Sequence, residues 1–127
     1  MIKLFSCYNS KIGLLGGGQL GKMIAIEAKR LAVDIVCLDP KENAPASLVC
    51  KQIVGRFDDE EKLKELNNQS DIITYEIEHI NIEAVKKVIP YEKIYPSIQT
   101  LKIIQNKYLQ RSFFKKHNVP VPEFFDL

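Results

Sequence analysis

Apolar runs and polar breaks alternate along this chain at a regular spacing. Residues 11–15 (KIGLL), 34–38 (DIVCL), 52–54 (QIV) and 71–75 (DIITY) are short and rich in Ile, Leu and Val. The first, second and fourth lack clean in–out alternation, which predicts central strands covered on both faces. A fifth short strand is expected around Ile94 and Tyr95 in KIYP. Between strands the period becomes helical. Leu20, Met23, Ile24, Ala28 and Leu31 share one face of a helix over 19–32, and that face is expected to pack on the sheet. DDEEKLKELNN opens with acids, which complement a helix dipole, and carries Leu63 and Leu66 three apart. NIEAVKKVIP starts with Asn81 as an N-cap and has Pro90 to end the helix. After Pro96, SIQTLKIIQNKYLQRSFFKKHN reads as one long or two short helices, and VPVPEFF as extended chain. Strands and helices in alternation predict an α/β fold, a parallel sheet of about five strands with helices on both faces.

Length and charge narrow the partners. The chain has 127 residues, about one domain, with Pro120 and Pro122 placed like the exit towards a further one. A formal net charge of +2 with mixed signs supplies no field to hold nucleic acid or an anionic membrane. Cys7, Cys37 and Cys50 are odd in number and form no C-x-x-C pair, so they suggest neither a disulfide framework nor a zinc site. No stretch reads as a signal peptide or membrane span. A cytoplasmic protein is expected.

The first candidate chemistry lies in LGGGQLGKM. Gly16, Gly18 and Gly21 form G-x-G-x-x-G between a strand and a helix, the setting in which that pattern cradles a phosphate or a nucleotide. Asp39 follows the second strand, 18 residues after Gly21, near where a dinucleotide fold places its ribose-binding acid. The same residues also suit a glycine turn needed only for packing, with Asp39 capping a turn before Pro40. Gln19 sits at the mouth of the loop, where its amide could donate to a phosphate or ribose oxygen.

In a doubly wound sheet the first and fourth strands lie side by side at the switch point, so TYEIEHIN, after the fourth strand, faces the glycine loop. Glu76 and Glu78 are two apart and in extended chain share a side, with Ile77 and His79 opposite. Two carboxylates there would repel a phosphate unless they hold ribose hydroxyls or an amine, which favours a ribonucleotide bearing a donor group. A solvated acidic loop, acid–base work by Glu78 or His79, and a weak metal site remain open alternatives. Ser97, after Pro96, is a natural N-cap at the same edge of the sheet.

Together LGGGQLGKM, CLDP, TYEIEHIN, YPS and IIQNKYLQRSFFKKHNVPVPEF resemble, in order and spacing, the amino-terminal part of the 5-(carboxyamino)imidazole ribonucleotide synthases of purine biosynthesis, ATP-grasp enzymes. The resemblance implies a Rossmann-like, pre-ATP-grasp fold over 11–97, a helical linker over 98–127 and an N-terminal extension over 1–10. It implies a carbon–nitrogen ligase that carboxylates 5-aminoimidazole ribonucleotide with bicarbonate, using ATP and magnesium, with a homodimer allowed for the longer enzyme. It places Gly18, Gln19, Leu20, Glu76 and Glu78 at the ribonucleotide, Ser97 near its phosphate and Lys107 on ATP; no catalytic or metal-binding residue is assigned. Asn106 stands where the family has Asp. Because the resemblance stops where the ATP-grasp domains would begin, a truncated chain, inactive alone, is expected. The competing expectations are a stand-alone NAD- or adenine-nucleotide-binding module, with Asp39 on the adenosine ribose, and an interaction module exposing Phe113 and Phe114.

Overall fold

The computed structural model describes residues 10–125, so the extension expected over 1–10 lies, Ser10 apart, outside the described residues. Four strands, β1 (Lys11–Leu15), β2 (Asp34–Asp39), β3 (Lys51–Val54) and β4 (Ile72–Tyr75), form one parallel sheet in the order β3-β2-β1-β4. Five helices accompany them: α1 (Gln19–Arg30), α2 (Glu60–Asn68), α3 (Ile82–Val88), α4 (Ile98–Gln105) and α5 (Lys107–Lys116). Alternate residues of the central strands feed two separate cores. Leu14, Ile35 and Cys37 meet Ala25 of α1 and Ala46. Leu15, Val36, Leu38 and Ile73 meet Leu63 and Leu66 of α2, Val85 of α3, and Ile98 and Leu101 of α4. A parallel sheet clothed on both faces requires apolar residues at successive positions, which is why its strands read as unbroken apolar runs.

The expected fifth strand is reduced to one bridge. Ile94 pairs with Ile73 alone, and Tyr95 donates its N–H to the Ile73 carbonyl at 2.9 Å. Pro96 follows and has no N–H to extend the ladder.

A second correction concerns α1. Its buried positions are Gly21 and Ala25, with Ala28 half-buried beside them, whereas Leu20, Met23, Ile24 and Leu31 are 59%, 55%, 40% and 72% exposed. The reason is distance. A Cβ at Gly21 would lie 2.8 Å from the Gly16 carbonyl oxygen, so the helix runs against the loop that starts it and admits only small residues at the contact. The bulky side chains flank that contact.

Helix ends follow local chemistry. The Asp59 carboxylate accepts from the N–H groups of Glu61 and Lys62 at 3.0 and 3.2 Å, and Asn81 caps α3 through Ala84 N–H at 3.1 Å. Asn106 divides the last helical stretch in two and caps α5, accepting from Leu109 N–H at 3.1 Å. An Asp side-chain oxygen could accept the same bond there. The segment after α5 turns back along it, so that Phe124 meets Tyr108 edge-on at 5.6 Å.

Lys93 secures the far end of α2. Its Nζ donates to the carbonyls of Asn67 and Ser70 at 3.1 and 2.7 Å and to Asn67 Oδ1 at 3.0 Å. A cation at a helix C-terminus satisfies free carbonyls and complements the dipole. Lys93→Met is therefore expected to lower the unfolding free energy by about 1 kcal/mol, read as a drop in urea midpoint at unchanged slope.

Candidate functional site

β1 and β4 are neighbours, so the turn leaving β1 and the loop leaving β4 emerge side by side at the carboxyl edge of the sheet. Gly16 opens the turn with φ +109°, a conformation that suits glycine. Its N–H donates to the Leu38 carbonyl at 3.0 Å. The next two N–H groups meet carboxylates of this chain: Gly17 donates to Asp39 Oδ2 at 2.8 Å and Gly18 to Glu76 Oε1 at 3.3 Å. The other Asp39 oxygen accepts from Lys41 N–H at 2.8 Å.

This arrangement changes the meaning of the glycine motif. Two of the donors that a phosphate would use are already taken, and the negative charge beside them would repel a second anion. The loop is a latch between β2 and β4. Asp39, on which an adenosine-ribose reading depends, has both oxygens committed to backbone; the turn-capping reading describes it.

What the loop after β4 offers a ligand is carboxylate acceptors. The two carboxylates of EIEH diverge: Glu76 lies over the glycine turn, and Glu78 Oε2 stands 3.7 Å from Lys107 Nζ, with His79 Nε2 at 4.0 Å from Glu78 Oε1. Ile77 packs against the core, whereas the His79 side chain is 92% exposed. Tyr75, Glu76, Ile77, Glu78 and Ile104 line a shallow cleft of about 270 Å³. Gln19 and Leu20 begin α1 beside the turn, both exposed. Ser97 caps α4, its Oγ accepting from Thr100 N–H at 3.3 Å and lying 3.2 Å from the Thr100 hydroxyl. The structure thus joins Gly18 to Glu76 and Lys107 to Glu78. No hydrogen bond ties Gln19 or Ser97 to either pair among the described residues.

Gln105, at the end of α4, escapes a reading of the sequence. Its Nε2 donates to the carbonyls of Glu78 at 2.7 Å and Ile80 at 2.8 Å. A glutamine at an exposed helix end carries no signature of this; the only signal is its place beside Asn106 and Lys107 in QNK. Among the described residues no three His, Cys, Asp or Glu side chains converge to hold a metal ion, and no helix is long and apolar enough to cross a membrane.

Tyr75 has a buried hydroxyl that finds no hydrogen-bond partner among the described residues, and burial raises its pKa above the ordinary phenol value. Removing an unmet polar group is favourable. Tyr75→Phe is expected to leave stability unchanged or raise it by up to about 1 kcal/mol, measured by urea unfolding at pH 7. Above pH of about 10 the native phenol keeps a proton that the unfolded chain gives up, so the unsubstituted chain loses stability there and the Phe variant loses less.

Comparison with known proteins agrees with the fold. Residues 9–105 match the family model described as the ribonucleotide synthetase preATP-grasp domain. The phosphoribosylaminoimidazole carboxylase of Vigna aconitifolia chloroplasts is 38% identical over 125 residues, covering 94% of this chain and 22% of its own length. The N5-carboxyaminoimidazole ribonucleotide synthetase of Thermotoga maritima superposes with a TM-score of 0.80 at 47% identity, over 90% of this chain and 32% of that one. The Aspergillus clavatus N5-carboxyaminoimidazole synthase, solved with ADP and 5-aminoimidazole ribonucleotide, gives a TM-score of 0.80 at 34% identity, over 92% and 32%. The chain spans between 22% and 32% of the length of the first curated relatives it matches.

Proposed function

The chain belongs to the ribonucleotide synthetase preATP-grasp domain family, and from that membership we propose that it holds 5-aminoimidazole ribonucleotide for ATP-dependent carboxylation by bicarbonate in de novo purine biosynthesis. One observation carries the reading to this ligand. Two glycine-turn donors, the N–H groups of Gly17 and Gly18, are closed by Asp39 and Glu76, and the loop after β4 adds the Glu78 carboxylate, so carboxylate acceptors gather at this edge. Such an edge suits the donor-rich part of a ligand, and aminoimidazole ribonucleotide supplies ribose hydroxyls and an exocyclic amine. A relative solved with that ribonucleotide supports the same choice.

In this reading Glu78 accepts from the ribose or the amine, and Gly18, Gln19, Leu20 and Glu76 shape the wall around it. The phosphate lies towards Ser97 and the start of α4, away from the carboxylates. ATP supplies the driving force for carbon–nitrogen bond formation, and Lys107 is the residue of this chain offered to it. Magnesium would accompany the ATP in this reading; among the described residues no three His, Cys, Asp or Glu side chains converge on a metal site. A cytoplasmic location and a homodimer in the longer enzyme belong to the same reading and rest on resemblance.

Calorimetric titration of this chain with 5-aminoimidazole ribonucleotide, and separately with NAD, tests the proposal. Saturable binding of the ribonucleotide with none of NAD is expected. Binding of NAD in its place, lost on Asp39→Ala, overturns it.

A further inference from the structure

Glu78 stands on a connection without regular structure, since β4 ends at Tyr75 and α3 begins at Ile82. Such a loop holds a carboxylate in one place only if something outside it fixes its backbone. One end is tied to the sheet by Glu76 N–H donating to the Leu15 carbonyl at 3.1 Å, and a tight turn joins Ile80 N–H to the Glu78 carbonyl at 2.9 Å. The third tie comes from 25 to 27 residues further along the chain. Gln105 Nε2 donates to the Glu78 carbonyl at 2.7 Å and to the Ile80 carbonyl at 2.8 Å. Both partners are carbonyl oxygens, which accept only, so the amide must present its NH₂ end and spends both hydrogens on this loop.

We propose that Gln105 is a positioning residue for ribonucleotide binding, which acts by holding the Glu78 backbone so that the carboxylate faces its ligand. The inference rests on the reading that Glu78 contacts the ribonucleotide. The neighbouring residues support one unit at the α4–α5 junction. Gln105 fixes the Glu78 main chain, Asn106 starts α5, and Lys107 faces the Glu78 carboxylate at 3.7 Å. Both hydrogens of the Gln105 amide go to this loop, so its effect passes through Glu78.

The test combines two readouts on the full chain. Gln105→Leu keeps the bulk and removes both donors, and Gln105→Glu places acceptors against acceptors. Each is expected to weaken 5-aminoimidazole ribonucleotide binding about tenfold where Glu78 is present and to cost nothing further in a Glu78→Ala background. In the free protein, amide exchange at Ile80 is expected to speed up in both variants while Leu63 and Leu66 on α2 keep their protection. Equal losses in the two backgrounds, or unchanged Ile80 exchange with binding intact, overturn the role of Gln105. Failure of the unsubstituted chain to bind the ribonucleotide overturns instead the reading of the site on which that role depends, and Ile80 exchange still shows whether Gln105 holds the loop.

Discussion

Replacing Gly16 by alanine is expected to lower the unfolding free energy by about 2–3 kcal/mol and to weaken ribonucleotide binding as well. Two causes add. At φ +109° an L side chain is strained wherever it points. The new Cβ would also lie 2.7 Å from Glu76 Cγ and 2.8 Å from Glu76 Oε1, so Glu76 must swing away and release Gly18 N–H. Gly18→Ala is the control. Gly18 has φ −67°, an ordinary value, and its added Cβ would meet Glu76 Oε1 at 3.1 Å, a contact that a small side-chain shift relieves. Urea unfolding of the two variants should separate them clearly, with Gly16→Ala much the weaker. Equal midpoints would mean that the turn does not depend on its left-handed residue.

Glu78→Gln is expected to reduce affinity for 5-aminoimidazole ribonucleotide by about ten- to a hundredfold, or about 1.4–2.8 kcal/mol, with little change in stability. The substitution keeps the shape and one acceptor and removes the charge, so it isolates the charge-assisted part of the contact. Stability should hardly move because the Glu78 side chain is 38% exposed and its partners Lys107 and His79 lie 3.7 and 4.0 Å away, at 64% and 92% exposure. Exposed pairs at such distances contribute little to folding. Titration calorimetry and urea unfolding of the same preparation give both numbers. A large loss of stability would assign Glu78 to the fold rather than to the ligand.

These two residues also show what could be read in the sequence. The strands follow from local apolar runs, and the adjacency of β1 and β4 from the doubly wound alternation of strands and helices. Asn81 and Ser97 were legible as caps because an N-cap requires a particular residue type at a particular place. The α1 face was not, because apolar periodicity marks large side chains, and here close approach at Gly21 and Ala25 outweighs them. The glycine motif was legible as a turn, and the filling of two of its donors by carboxylates of this chain was not. Asp39 and Glu76 reach Gly17 and Gly18 across 22 and 58 residues, and no local pattern reports that their carboxylates accept from the turn. Gln105 is hidden for the same reason, since its partners come from another loop.

The edge formed by the glycine turn and the EIEH loop is the proposed site of 5-aminoimidazole ribonucleotide. Amide chemical shifts of the isotope-labelled chain, followed while that ribonucleotide is added, test it most directly. Saturable shifts shared by Gly18, Gln19, Glu76 and Glu78 are expected, with Leu63 and Leu66, buried where α2 meets the sheet, unmoved. Absence of shifts at the turn and the loop, with or without changes elsewhere, would contradict it.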